Sequence, residues 1–325
     1  MIPGPERRAE PISCSICGAS VTRVRYACAR DYITLEPFSV LQCDSCGVGF
    51  TWPVPLDLAP FYPQQYREYN GYILWALKVL YRWRARQWAA HFTQAGNLLE
   101  IGCGPGIMLH AFREMGWEVT GLERSDEAAE VGRRLLGLDI RSCSVGDLPE
   151  GPKYDLIILF QVLEHMPQPI AIVRECARRL KPGGRIVLSV PDFESWQARF
   201  GGTGWMHLDV PRHLYHFSSR SISGLLRRCG FDQPSIAYAS FEHDPIGWVQ
   251  TVLNRVISPP NTLLRHLMSI EAPPVQVAAS LALAVFLAMP SIGLSLASWI
   301  ARRGSIMTIS ATATLESGNS AEITG

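Results

Sequence analysis

The sequence predicts an α/β protein built on a doubly wound, mainly parallel sheet, with a small cysteine-rich ribbon ahead of it and an apolar helical insertion before its last strand. Three observations predict it. A short apolar run closes on a glycine loop and opens a helix over residues 97–115, strand-like and helix-like stretches then alternate to about residue 240, and two Cys-x-x-Cys-Gly pairs stand upstream. At 325 residues, 47% of them hydrophobic, the chain has room for about two domains of ~150 residues. With 30 Lys+Arg against 29 Asp+Glu and only 18% charged residues, it lacks the basic excess that phosphate-driven binding needs, so no nucleic-acid partner is expected.

Met1 to Glu10 contains no apolar run, which predicts no secretory signal and a cytoplasmic location. Nine cysteines, an odd number, fit reduced thiols and a metal site better than a disulfide framework. Cys14-Ser-Ile-Cys17-Gly18 and Cys43-Asp-Ser-Cys46-Gly47 repeat one turn in which two thiolates face one tetrahedral ion. Residues 1–52 therefore read as a ribbon whose Cys14, Cys17, Cys43 and Cys46 hold a structural zinc, with strands at Thr22–Ala27 and Phe38–Gln42. A closed four-thiolate site leaves no open position, so this metal supports structure and does no chemistry.

Residues 53–94 follow as a linker and a helix. The linker, Trp52-Pro-Val-Pro-Leu and Phe61-Tyr-Pro-Gln-Gln-Tyr-Arg-Glu-Tyr, is rich in Pro and Tyr and is placed to cover a site. The helix, over 71–92, mixes Tyr72, Trp75, Tyr81, Trp83 and Trp88 with Lys78, Arg82, Arg84 and Arg86, the composition of an interfacial segment or of a packed helix with snorkelling arginines.

Asn97 to Ile101 reads as a strand, Gly102-Cys-Gly104-Pro-Gly106 as a loop, and Ile107 to Met115 as a helix stopped by Gly116. The glycine spacing is Gly-x-Gly-x-Gly, whereas a dinucleotide fingerprint needs Gly-x-Gly-x-x-Gly, so NAD is not expected. Trp117–Leu122 forms a second strand ending at Glu123, an acid ~20 residues past the loop where a ribose can be held. Helices follow at Glu127–Leu136 and Ile170–Leu180, and strands at Tyr154–Gln161 and Arg185–Val190.

These motifs, in this order, resemble the class I S-adenosylmethionine (SAM) dependent methyltransferases over roughly residues 95–240. The resemblance implies a Rossmann-like seven-stranded sheet formed by residues 95–245 and 304–315, with Glu100, Gly102, Gly104, Gly106, Glu123, Asp147, Leu148 and Gln161 around SAM. Together with the ribbon, the chain also resembles zinc-containing sugar C-methyltransferases and methyltransferases of cell-surface polysaccharide and lipid pathways. In the sugar enzymes a Tyr-x-Glu-His segment supplies the base; the matching stretch here is Val210-Pro-Arg212-His213, which keeps the histidine without the Tyr and Glu. The Glu-x-x-Glu-His metal cluster of the ubiquinone-pathway O-methyltransferases reads Gln161-x-x-Glu164-His165 here, and the missing carboxylate disfavours a catalytic magnesium.

Methyl transfer to a hydroxyl or acidic carbon needs alignment, exclusion of water and removal of a proton. Two histidine sets compete for that last role: Glu164-His165, and His207, His213, Tyr215 and His216. His213 is the expected general base and His165 the alternative.

Residues 246–303 form the insertion. Residues 272–301 carry no charge, and Val275–Ile300 is apolar and long enough to span a membrane. A span would leave the last strand, Ser305–Ala313, on the wrong side of the bilayer from its sheet, and Arg265, Arg302 and Arg303 favour the same side for both ends. Pro290 divides the run, which predicts a helical hairpin lying in one leaflet, helped by amphipathic Gly247–Ile257 and Leu263–Ile270; a homodimer contact is the alternative. The expected function is methyl transfer to a small-molecule, lipid or lipid-linked sugar acceptor at the inner membrane face, with a soluble sugar-nucleotide acceptor for C- or O-methylation as the alternative.

Overall fold

The computed structural model describes residues 12–21, 23–62, 71–232, 234–268 and 270–314. The segment read for a signal and the Tyr-rich linker stretch at 63–70 lie outside the described residues.

Seven strands form the central sheet in the order β12-β13-β10-β9-β6-β7-β8. They are β6 (Asn97–Ile101), β7 (Glu118–Leu122), β8 (Ile140–Arg141), β9 (Tyr154–Phe160), β10 (Leu180–Pro191), β12 (Ser235–Ala237) and β13 (Ile306–Thr312). All the pairings are parallel except those of β13, which runs antiparallel to both β10 and β12. The expected doubly wound sheet with an apolar helix before the last strand is thus what forms.

Alternation along the strands sends neighbouring apolar side chains to opposite faces. Leu98 and Ile158 pack with Ala85 of α1 (Gly71–Ala89), Met108 and Phe112 of α2 (Ile107–Arg113) and Ala129 of α3 (Asp126–Leu136). Leu99 and Ile157 turn the other way, onto Val173 and Cys176 of α4 (Pro169–Arg179) and Ile222 and Leu225 of α6 (Ser219–Arg228). Local chemistry fixes the helix ends: the Ser125 hydroxyl accepts from Ala128 N–H, Asp126 and Glu127 fill the first turn of α3, and Gly137 ends it with φ +59°. The order of connections reverses between β6 and β9, and the crevice at their carboxyl ends is where such sheets bind ligands.

The cysteine-rich segment contributes a hairpin, β1 (Ile12–Ser13) with β2 (Ser20–Val21), and an antiparallel sheet of β3 (Arg23–Arg30), β4 (Pro37–Gln42) and β5 (Gly49–Trp52). Its fourth strand comes from far along the chain. β11 (Tyr215–His216) pairs with β5, so the ribbon sheet is completed by the segment that carries His213.

The insertion holds α7 (Asp244–Val256), α8 (Thr262–Leu267) and α9 (Pro274–Ile300), and α5 (Trp196–Gly201) packs beside α7. Here the sequence expectation of a hairpin is corrected: α9 is one 27-residue helix with Pro290 inside it. Proline removes one backbone hydrogen bond and kinks a helix, but it does not force a reversal where both flanking segments have a surface to lie on. α9 has that surface in α7 and α8. Its far end is tied down by the buried Asp244, whose carboxylate accepts from Ser305 N–H at 2.8 Å, the Ser305 hydroxyl and the Trp299 indole. This one carboxylate joins the start of α7, the end of α9 and the entry to β13.

Candidate active site

The glycine loop leaves β6 in a tight path with Gly102, Gly104 and Gly106 at φ +69°, +52° and +77°. Only glycine takes such angles without strain, and the path brings backbone close to whatever lies above the sheet. Glu123 organises it, accepting from Gly104 N–H and Ser125 N–H at 2.8 Å each. Glu100 is buried, one of its carboxylate oxygens finds no partner among the described residues, and burial pushes its carboxyl up to about 8. Asp147 is exposed in a short turn, where Ser144 N–H donates to it and holds its carboxyl low; Leu148 beside it is buried. Gln161 sits at the end of β9 with φ +57°, its amide donating to Ser189 Oγ at 3.0 Å. The structure thus gathers Glu100, Glu123 and the three glycines at the ends of β6 and β7, with Gln161 one strand away.

The loop makes a prediction about stability. A Cβ on Gly106 would collide with Leu138 Cδ1 and stand 3.2 Å from Ile140 Cδ1, in a backbone conformation that side chains rarely adopt. Gly106→Ala is expected to destabilise the fold by roughly 1–3 kcal/mol, read as a lower denaturant midpoint with an unchanged slope. An unchanged midpoint would show that the loop relaxes freely.

A second group lies past β9 and β10. The ligand atoms of Glu164, His165 and His213 lie within 4.8 Å of one another. His165 Nδ1 is 2.9 Å from the Arg212 carbonyl and His213 Nδ1 is 2.9 Å from the His207 carbonyl, so each neutral ring donates through Nδ1 and keeps its lone pair on Nε2. The two rings meet edge to face at 4.7 Å. His213 Nε2 lies 4.0 Å from Glu164 Oε1 and 3.9 Å from Asp209 Oδ2. Burial, then the neighbouring His165, hold His213 well below its ordinary value, and burial, with the Asp209 charge adding to it, pushes the Glu164 carboxyl up to about 8. Neither Glu164 oxygen has a partner among the described residues.

Two residues that the motif reading did not single out fix this group. The buried Arg212 guanidinium donates to Asp209 Oδ1 at 2.6 and 3.0 Å, to Asp31 Oδ1 at 2.7 Å and to the Phe61 carbonyl, and it stacks over Tyr32 at 4.2 Å. Burial raises Asp209, but Arg212 and then His213 outweigh it and hold that carboxyl down at about 2. An ion pair three residues apart in an otherwise apolar loop was the available signal in the sequence.

The remaining predicted residues fall elsewhere. His216 Nε2 is 3.1 Å from Thr51 Oγ1 and its ring lies against Phe193, while the Tyr215 hydroxyl meets Ser15 Oγ at 2.8 Å and donates to the Pro167 carbonyl. Neighbours on a strand point to opposite faces, so β11 turns these two side chains apart, Tyr215 toward the knuckle and His216 into the ribbon seam. His207 is buried near His243, 6.2 Å between rings, and burial lowers it to about 3.

The four ribbon cysteines converge, with Cys14 Sγ 3.7 Å from Cys46 Sγ and Cys17 Sγ 3.5 Å from Cys43 Sγ. Four thiolates ~2.3 Å from one zinc stand ~3.8 Å apart, so this donor set fits that ion. The two knuckles share one geometry: Gly18 N–H donates to the Cys14 carbonyl at 2.7 Å and Gly47 N–H to the Cys43 carbonyl at 2.8 Å.

A family model described as a methyltransferase domain matches residues 72–234, half of the chain. A ubiquinone biosynthesis O-methyltransferase of Xanthomonas oryzae pv. oryzae is 39% identical over 142 residues, which cover 40% of this chain and 58% of that protein. The protein of the same name from Proteus mirabilis is 37% identical over 100 residues, covering 29% of this chain and 41% of its own length. The chain thus spans about half the length of the curated relatives it matches. Among solved structures, geranyl diphosphate C-methyltransferase from Streptomyces coelicolor A3(2) is 18% identical, with 80% of this chain and 90% of that chain covered and a TM-score of 0.46.

Proposed function

The chain belongs to the methyltransferase-domain family, and from that premise we propose that it transfers a methyl group from SAM to a lipid or lipid-linked glycan at the cytoplasmic membrane face, with His213 as general base. SAM supplies a methyl group made electrophilic by its sulfonium. Glu123, the backbone of Gly102 to Gly106, Asp147, Leu148 and Gln161 would hold it, and the unpartnered oxygen of Glu100 fits a site that receives a hydrogen-bonding ligand.

The observation that carries the reading is the state of His213. Its Nδ1 is pinned to the His207 carbonyl, which fixes the tautomer, and burial keeps the ring neutral, so Nε2 offers a lone pair to a proton of the acceptor. Asp209, ionised and 3.9 Å away, stabilises the imidazolium formed when that proton arrives. The ribbon would hold zinc through Cys14, Cys17, Cys43 and Cys46 and act on the site only through structure. The outward apolar surface of the insertion supports a lipid-borne acceptor over a soluble sugar nucleotide, which is the alternative.

One observation favours a second reading of the same group. Glu164, with two unpartnered oxygens beside His213 Nε2 and a ring nitrogen of His165, presents the mixed oxygen and nitrogen set that divalent transition ions take. His213 is the third ligand of this set. Turnover that falls on chelation and returns with manganese, while the ribbon keeps its zinc, would favour a bound cation over a free base.

The reading is tested by incubating the full chain with methyl-labelled SAM and a whole-cell extract, then partitioning the product. Label in the organic phase, dependent on His213, is expected. Label confined to water would move the acceptor to the soluble class.

A further inference from the structure

A helix on a water-facing surface turns its apolar stripe inward and its polar one outward. α9 is built the other way round. Its buried stripe is Val277, Ser280, Ser291, Ser295 and Ser298. The last three hydroxyls are satisfied within the helix, on the carbonyls of Ala288, Ser291 and Ser295 at 2.7 Å each. Outward stand Val275, Val285, Phe286, Met289 and Ile300, each 75–86% exposed.

This face does not end with α9. Phe241 meets Trp299 at 4.9 Å and Trp83 of α1 at 5.9 Å, and Trp75 and Val79 extend the exposed apolar surface along α1. Arg302 and Arg303 follow α9 directly, and Arg255 lies over the exposed Phe200 at 5.7 Å on the adjoining edge.

We propose that α9 and the outer side of α1 form one docking face for an anionic lipid bilayer, with α9 lying in the membrane plane. The charge pattern selects this occupant. A charge-free stripe, tryptophans at its margin and arginines beyond them match the acyl layer, the interfacial zone and the anionic headgroups in turn. Arg303 lies 3.9 Å from Glu194, but pairing with a second copy through the stripe would leave the exposed Trp75, Trp83 and Arg302 without a role. The packing argues for an in-plane helix and against a crossing: Val277 to Ser298, ~30 Å of helix at 1.5 Å per residue, lies along α7 and α8, where Asp244, Gln250 and Thr251 are buried polar residues of the same body. Lipid can meet one side only.

The seam of the two halves lies over the end of β9. Phe160, next to Gln161, touches Tyr81 and Trp88 of α1 on one side and His243 on the other. The docking face therefore adjoins the element that leads into the candidate site, and its docking stands independently of the proposed lipid acceptor.

Flotation of the purified full chain with phosphatidylcholine vesicles, with and without phosphatidylglycerol, tests the proposal. The chain is expected to float with the anionic vesicles and less with the neutral ones. Joint Val285→Glu, Phe286→Glu and Met289→Glu substitution should cut the bound fraction roughly tenfold. Trp75→Ala with Trp83→Ala should cut it by less, and retained SAM binding shows that either variant is folded. A chain that stays in the dense fractions overturns the docking face, as does a triple variant that floats unchanged. A dimer broken by the triple variant, without flotation, gives the face to a second copy. Flotation without any lipid-phase product upholds docking and overturns only the acceptor.

Discussion

Replacing His213 by alanine is expected to lower turnover by about 10²–10⁴-fold while SAM binding stays at the level of the unaltered chain. The residues placed around SAM lie in and just after β6 and β7, in the turn after β8 and at the end of β9, and among the described residues none of them hydrogen-bonds to the His213 ring, so the two readouts separate. The His213 ring is held by its own Nδ1 bond to the His207 carbonyl and has Glu164 and Asp209 beyond Nε2, so the alanine variant leaves two carboxyl groups facing a gap. A His213→Gln variant keeps the volume and a polar end but no proton acceptor of comparable strength, and it should be as slow as the alanine variant. If glutamine restored turnover, His213 would be a positioning residue and His165, its ring 4.7 Å away, would take the role. The pH dependence adds a second test. Burial lowers His213, so protonation of the base should slow the enzyme only well below its ordinary value. Glu164 runs the other way: its raised carboxyl keeps a proton that an unfolded chain has released. Its contribution to stability is therefore whole below the unfolded value of ~4.3 and declines as pH rises toward about 8.

Local pattern carried most of the fold. The strand, glycine loop and helix at 97–115 were legible because a strand's apolar run and a loop's glycines need only nearby residues to declare themselves, and β6, α2 and β7 lie within a residue or two of where they were expected. The long-range parts were less legible. β11 has two residues and no periodicity to read, yet it joins a ribbon more than 160 positions upstream through backbone pairing that side chains hardly encode. α9 departs from the expected hairpin because Pro290 is a breaker only when a helix has nothing to hold it straight, and the supporting surface, α7, is invisible to a local pattern. At the site, the sequence offered His207, His213, Tyr215 and His216 as one set with His213 foremost; strand alternation and the Arg212 ion pair then sorted them. Asp209 and Arg212 escaped because their importance lies in Asp31, which only folding brings to them.

That last connection sets the second large effect. Joint Cys17→Ser and Cys43→Ser substitution is expected to abolish zinc binding, unfold the ribbon and lower turnover on the order of 10²-fold or more, with SAM affinity retained. Structural zinc supplies about 10–16 kcal/mol to small ribbons that have little core of their own, so losing two thiolates removes most of what holds these strands together. The consequence reaches the site by three routes. Thr51 of β5 accepts and donates at once across the seam: its N–H goes to the Leu214 carbonyl at 3.0 Å, its hydroxyl to the His213 carbonyl at 2.7 Å, and His216 Nε2 lies 3.1 Å from the same hydroxyl. β5 also pairs with β11, which fixes the chain directly after His213. Asp31, at the end of β3, holds the guanidinium that in turn holds Asp209. A shift of ~1 Å in a catalytic group is enough for a hundredfold loss, and all three ties would be slack without the ribbon. Thr51→Val separates structure from metal: it should keep the zinc and slow turnover by a smaller factor, roughly tenfold, because one of the three routes is cut. Zinc content, calorimetric SAM binding and turnover on the same preparations read the outcome. A cysteine variant that has lost its zinc and keeps full turnover would make the ribbon a bystander and leave Arg212 and Asp209 to hold the site alone.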